Sequence, residues 1–264
     1  MSHAPLQRAV LAWYDANGRD LPWRRTRDPY AILVSEVMAQ QTQVARVIAY
    51  YERWLERWPS PAALAAASPA DVLGAWVGLG YNRRALRLRE AAAIVARDGW
   101  PGDAAGLRAL PGIGPYTAAA VASFAFGEPV AAVDTNVRRV AGRLGADPQA
   151  LLPHERAADW NQAAMELGAV FCTARRPRCD ACPAGPWCPS HGRVAAPPPR
   201  RATGERFEGS DRWARGRVIA ALAGGGALPG AIAPARLARV LAALERDGLV
   251  ERDEPGTGAP RLPR

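Results

Sequence analysis

The sequence predicts an all-α protein. Two observations carry this: apolar residues recur at helical spacing along most of the chain, and Pro, Gly and capping residues mark where those segments start and stop. Residues 30–40 and 43–58 have the helical spacing, and Pro59 stops the second. Ser68-Pro69-Ala70-Asp71 is a capping box that opens a short helix. Gly78-Leu79-Gly80 breaks the chain before a helix over 81–97, rich in Ala, Leu and Arg. Residues 103–109 form a further short helix. Leu110-Pro111-Gly112-Ile113-Gly114 is a tight turn, and a helix over 115–126 follows, with Pro115 at the favoured first position. Residues 131–134 connect to a helix over 135–144. A long helix over 153–171 delivers the chain to its first cysteine.

Beyond the cysteines, Pro197-Pro198-Pro199 reads as part of a linker. Residues 211–222 and 234–247 read as helices, and Gly248 caps the second. Residues 249–253 and the last residues are expected to pair across Pro255-Gly256-Thr257-Gly258, so the tail resembles a small winged helix. No internal repeat is visible.

The chain has 264 residues, 49% hydrophobic and 22% charged, which is enough for a packed core and too apolar for disorder. Its 34 basic residues exceed its 25 acidic ones, a net charge of +9 that favours a polyanionic partner, nucleic acid before membrane. All of the basic residues are arginine. Chemistry that needs a lysine amine, such as a lysine Schiff base, is therefore excluded. The uncharged stretches 109–127 and 218–235 are broken by Pro and Gly, so neither reads as a membrane span. Residues 1–10 have no apolar signal core, and the expected compartment is the cytoplasm.

The glycines of the 110–114 turn let the backbone fold tightly, so that freed N–H groups there and at the next helix face a phosphate. Such a contact uses no side chain and is blind to base sequence. An ordinary helix–helix turn is the plainer alternative. The four cysteines, Cys172, Cys179, Cys182 and Cys188, are spaced C-x6-C-x2-C-x5-C, and the rest of the chain has none. In a reducing compartment such clustering points to a metal site rather than disulfides. Four thiolates at this spacing suit a tetrahedral zinc or a cubane iron–sulfur cluster, and the spacing alone leaves both open. Arg175, Arg176, Arg178 and Arg193 lie in or beside the loop, where a metal staple would fix them for phosphate contact.

The turn, an aspartate about twenty residues on and the cysteine spacing together resemble the endonuclease III superfamily of helix–hairpin–helix DNA glycosylases. Within it, Leu21-Pro22-Trp23-Arg24, the run from Ser35 through Glu36 to Val44, Gly78-Leu79-Gly80-Tyr81 and Met165-Glu166-Leu167-Gly168 resemble the adenine glycosylases, the MutY family. The resemblance covers residues 5–195. It implies a two-lobed all-α fold with a [4Fe–4S] cluster on Cys172, Cys179, Cys182 and Cys188. Residues 1–22 and 134–194 would form the cluster lobe and residues 23–133 a six-helix barrel with the hairpin. Residues 195–210 would be a linker and residues 211–264 a small winged-helix-like tail. DNA would lie across the cleft between the lobes, bound by a monomer.

Breaking the bond between adenine and its sugar leaves negative charge on the base and an oxocarbenium-like cation on the sugar. A neutral acid near the base and a fixed carboxylate near the sugar answer these two problems. By the resemblance Glu36 is the acid, which later helps activate water. Its apolar surroundings, 31–35, would keep it protonated. Outside this motif it would read as a helix-start carboxylate facing the dipole. Asp134 is the sugar-side carboxylate and a natural N-cap, with Asn136 to orient it. Thr135 stands where familiar adenine-specific members carry glycine. Tyr116 stands where lyase members place their nucleophilic lysine, so a monofunctional enzyme using water is expected. Gln41 and Tyr81 are implied as wedges beside the opposite base, with Thr42 nearby. Trp23, Arg24 and Gln162 are implied contacts of the flipped adenine, and Gly112 and Gly114 of the backbone. Trp13, Trp54 and Trp58 read as core.

Residues 202–264 are too short and too helical for the β-rich domain that reads 8-oxoguanine in many relatives, which puts strong selectivity for that base in doubt. The tail's mixed charges favour a cap on the core over a DNA contact. The expected reaction is removal of adenine mispaired with 8-oxoguanine or guanine. Alternatives are a thymine or uracil G-mismatch glycosylase and a non-catalytic, metal-stapled DNA-binding protein.

Overall fold

The computed structural model describes residues 3–194, 207–253 and 258–264. The expected linker around Pro197-Pro198-Pro199 and the turn at Pro255-Gly256-Thr257 lie outside the described residues. The helices are α1 (Ala4–Asn17), α2 (Pro29–Ala39), α3 (Val44–Arg57), α4 (Pro61–Ala66), α5 (Pro69–Trp76), α6 (Arg83–Asp98), α7 (Ala104–Arg108), α8 (Pro115–Phe126), α9 (Thr135–Leu144), α10 (Ala157–Val170), α11 (Asp211–Ala223) and α12 (Pro234–Arg246). Short 3-10 turns stand at Pro22–Arg24, His154–Arg156 and Gly185–Trp187.

The expected local signals act where they were placed. Ser68 Oγ accepts the Asp71 N–H at 3.1 Å and donates to Asp71 Oδ2 at 2.7 Å, which opens α5. Gly248 takes a positive φ after α12. Two boundaries differ from the sequence expectation. Tyr81 sits in the left-handed region at φ 48°, so α6 begins only at Arg83. Arg156 leaves the helical region (φ −130°, ψ 40°), which splits the expected 153–171 helix into a 3-10 turn and α10. The Arg156 side chain there bonds Asp15 and Asp159. Helices α1 and α4 had no expectation; α4 is only six residues long and begins at a proline.

Contacts group the chain into two units, Met1–Glu36 with Trp100–Arg200, and Val37–Gly99 with Arg201–Arg264. In the first unit α1 packs on α10, and α10 on α9. Leu6, Val10 and Leu11 meet Val140, Trp160, Ala163 and Leu167 in one buried cluster, and Trp13 packs edge-on against Phe171. In the second unit α4 packs on α6, and α5 on α6. Trp54 is buried edge-on between Trp58 and Trp76, with centroids 4.6 and 5.3 Å away. The tryptophans read as core are therefore core or packed against it. Helix α11 packs on α5 and α12, burying Val218, Ile219, Val240, Leu241 and Leu244. The expected pairing in the tail takes the form of one antiparallel bridge, Glu251 with Arg261. Among the described residues no helix is long and apolar enough to cross a membrane.

Candidate active site

Helix α2 is almost wholly apolar, so its one acid is carried into the interior. Tyr30, Ile32, Leu33, Val34, Val37 and Met38 are buried, and Glu36 with them at 9% exposure. Burial pushes the Glu36 carboxyl up to about 7. A hydrogen bond from Tyr116 and the charge of Arg24 pull the other way, while the nearby Asp134 carboxylate pushes it up further.

Tyr116 reaches Glu36 because the hairpin sets the start of α8. Pro115 is the first residue of α8 and Tyr116 the second. The Tyr116 hydroxyl bonds Glu36 and also lies 3.6 Å from Met165 Sδ. Burial and the two carboxylates hold its phenol well above the usual range. Tyr116 is therefore a neutral donor at physiological pH. In the hairpin itself Leu110 and Ile113 are buried, and Gly112 takes φ 77°. Gly112 and Gly114 are exposed, and their N–H groups have no protein partner among the described residues.

Asp134 caps α9: its Oδ1 accepts the Val137 N–H at 2.7 Å. Its Oδ2 accepts from Asn136 Nδ2 at 2.9 Å. Two donors and the positive end of a helix suit a carboxylate anion. Asn136 Oδ1 in turn accepts from Arg139 Nη2 at 2.6 Å, which also donates to the Gly168 carbonyl at 2.7 Å. Arg139 Nε donates to the Cys172 carbonyl at 2.6 Å. A continuous set of bonds thus runs from Asp134 to the backbone of the first cysteine. Gly168 permits it, since a Cβ there would stand 2.4 Å from Asn136 Cβ.

The remaining adenine-contact candidates of this unit are engaged with neighbours. Arg24 Nη1 donates to Glu166 Oε1 at 2.7 Å and to the Arg19 carbonyl at 2.9 Å. Glu166 is buried at 1% exposure and also accepts from Arg19 Nε. Gln162 Oε1 accepts from the Tyr14 hydroxyl at 2.6 Å. Trp23, on the 3-10 turn, is half-buried.

Arg143, Cys172, Cys179, Cys182 and Cys188 line one small cavity. Burial pushes the Cys182 and Cys188 thiols up, and the other thiols add to it. Four crowded thiols ionise together only around positive charge. No group of three or more His, Cys, Asp or Glu among the described residues is arranged to hold a single metal ion. Four thiol sulfurs lining one cavity are a donor set of the kind that binds metal. Arg143 Nη1 lies 3.2 Å from Cys172 Sγ as a donor. Arg175, Arg176, Arg178 and Arg193 are exposed, and Arg178 also bonds the Val170 carbonyl and lies over the Phe171 ring.

In the other unit Gln41 and Tyr81 are the non-glycine residues at positive φ among those described, 56° and 48°. Such strain in bulky residues marks functional positions. Arg84 secures both: it donates to the Gln40 and Gly80 carbonyls at 2.8 and 3.0 Å, and to those of Val37 and Leu79. Thr42 Oγ1 reaches the Gln40 and Leu79 carbonyls at 3.3 and 3.5 Å.

Residues 34–162 match the HhH-GPD superfamily of base excision DNA repair proteins. A protein of Mycobacterium tuberculosis named adenine DNA glycosylase is 49% identical over 80% of this chain and 76% of its own. One of Mycolicibacterium smegmatis, named likewise, is 44% identical over 97% of this chain and 95% of its own. This chain belongs to the adenine DNA glycosylases. A solved thermostable thymine-DNA glycosylase is also similar, with a TM-score of 0.67 at 28% identity over 71% of this chain and 95% of that one.

For this adenine DNA glycosylase the sequence reading placed Glu36, Tyr116, Asp134 and Asn136 as candidates, and the fold brings all four together. It missed Tyr14, Arg84, Arg139 and Glu166 as parts of the sites. Only Arg139 had a local signal, three residues after Asn136 on α9. Tyr14 and Glu166 meet their partners from remote parts of the chain, and Arg84 joins the nearby Leu79 and Gly80 carbonyls to the distant Val37 and Gln40 ones.

Proposed function

We propose that this protein hydrolyses the N-glycosidic bond of adenine mispaired with guanine or 8-oxoguanine in double-stranded DNA, as a monofunctional enzyme. The observation that carries this is the buried Glu36 carboxyl, poised near 7 and facing both Tyr116 and Asp134. A carboxyl at that value is protonated in a large fraction of molecules at neutral pH. Glu36 gives its proton to a ring nitrogen of the flipped adenine while the electron pair of the C1′–N9 bond leaves with the base. Asp134 then faces the cationic sugar and stabilises it. Glu36, now a carboxylate, takes a proton from the water that adds to C1′, which restores the acid. Tyr116 holds the Glu36 carboxyl in place and supplies no amine. With no lysine in the chain, no lysine Schiff base forms on the sugar.

Extruding a base costs about a few kcal/mol of stacking. Gln41 and Tyr81 enter the duplex beside the opposite base, with Thr42 bracing the loops that carry them. Trp23, Arg24 and Gln162 surround the adenine. Gly112 and Gly114 hold a phosphate through their N–H groups. Cys172, Cys179, Cys182 and Cys188 would hold a [4Fe–4S] cluster, which when bound supplies a staple that fixes the 172–188 loop and its arginines beside DNA. The protein acts as a monomer in the cytoplasm, on the nucleoid.

The test is a panel of labelled duplexes with A, T or U opposite G and 8-oxoguanine, treated with alkali after incubation. Cleavage at adenine alone is expected, with no borohydride-trapped adduct on a side chain. Cleavage at thymine or uracil instead would overturn the substrate, and a trapped side-chain adduct the monofunctional chemistry. A brown protein with iron and sulfide in equal amounts is expected; stoichiometric zinc would refute the cluster.

A further inference from the structure

The tail brings an arginine and a phenylalanine to the strained tyrosine. Arg212, in the first turn of α11, donates from Nη1 to the Tyr81 hydroxyl at 3.0 Å. Its guanidinium carbon lies 5.7 Å from the Tyr81 ring centroid and 5.0 Å from that of Phe207. Phe207 is 55% exposed and Tyr81 44%. Core packing accounts for neither ring, and a cap on the core does not need them outside.

The same face opens into a groove of about 880 Å³, which Gln41, Arg46, Arg83, Arg84, Arg215 and Arg217 also line. The carboxylate on its wall, Asp247, is taken by Arg215 and approached by Arg83 at 3.7 Å. Arg212 and Arg217 have no ion pair among the described residues. Surplus guanidinium charge beside exposed aromatic faces suits a chain of phosphates bearing stackable bases.

We infer that the C-terminal tail is a DNA-reading element: Arg212 and Phe207 contact the strand opposite the flipped adenine, and Arg212 hydrogen-bonds the base left there without its partner. This rests on the reading of Tyr81 as the residue inserted beside that base. Arg212 is tied to the hydroxyl end of Tyr81, so its remaining N–H donors travel with the ring to whatever base the ring meets. A planar fork of donors matches the acceptor edge of a purine such as guanine. A guanidinium serving phosphate alone would have no need of the tyrosine hydroxyl.

The test is binding by the full chain to duplexes carrying 2′-fluoro-2′-deoxyadenosine, which resists hydrolysis. The opposite position holds guanine, 8-oxoguanine or a base-free tetrahydrofuran. Arg212→Ala is expected to weaken binding roughly 10- to 100-fold opposite a purine and less than about twofold opposite the base-free residue. Arg212→Lys, which keeps the charge and loses the planar fork, is expected to follow Arg212→Ala. Phe207→Ala gives an independent reading, with loss again greater when a base is present. Equal losses on all three duplexes, or no loss, would overturn the inference. Wild-type protein that excises adenine while Arg212→Ala shows no such dependence sinks this inference alone. Wild-type protein that leaves adenine intact sinks the function on which it rests.

Discussion

Replacing Glu36 with glutamine tests whether catalysis here is maintained against stability. Burial lifts the Glu36 carboxyl from its ordinary 4.5 to about 7, so the folded protein holds that proton more tightly than the unfolded chain. The sign follows. The contribution of Glu36 to stability is fully present below about 4.5, falls as pH rises toward 7 while the unfolded chain alone releases the proton, and is lost above that. The difference corresponds to about 3 kcal/mol. Glutamine has nearly the same shape and no charge to desolvate. Glu36→Gln should therefore be within about 1 kcal/mol of the wild type in urea at pH 5 and more stable by up to about 3 kcal/mol at pH 8, while losing adenine excision. Tryptophan fluorescence is a suitable probe, because Trp54 and Trp76 are buried. A stability difference that does not change between the two pH values would refute the burial argument. So would a glutamine variant that is the weaker of the two at pH 8.

Tyr116→Phe removes the hydrogen bond that lowers the Glu36 carboxyl, so the alkaline limb of the single-turnover pH profile should move up by about one pH unit; an unmoved limb would show that the bond does not act on Glu36. Gly168→Ala would push its methyl into Asn136, costing about 1–3 kcal/mol and slowing excision, whereas Gly142→Ala, which meets open space, should be neutral or mildly stabilising in the same thermal melts. Arg84→Ala frees the backbone at both Gln41 and Tyr81 and should cost at least about 2 kcal/mol in urea, with duplex affinity falling as well; Arg84→Lys, lacking the fork, should recover little of either.

Much of the chain was legible because its signals are local. Pro115 and Ser68 mark helix starts, Gly248 marks a stop, and apolar spacing marks the helical faces, all within one or two turns of chain. The cysteine spacing and the residues around Glu36 and Asp134 were legible for the same reason. Tyr81 and Arg156 were not: each leaves the helical region at a position where propensity permits a helix. Their side chains are held by partners far away, Arg212 for the one and Asp15 for the other.

From its residues alone this chain is helical, basic, free of lysine and supplied with two candidate carboxylates and four clustered thiols. Those properties belong to composition and short-range order, so no folding is needed to read them. Only the tertiary structure decided that Glu36 is buried against Tyr116 and Asp134, and that α11 sets Arg212 on Tyr81. Proton affinity depends on which groups share a low-dielectric space, and stacking depends on which faces meet. Both are properties of neighbours distant in sequence, which the order of residues along the chain does not display.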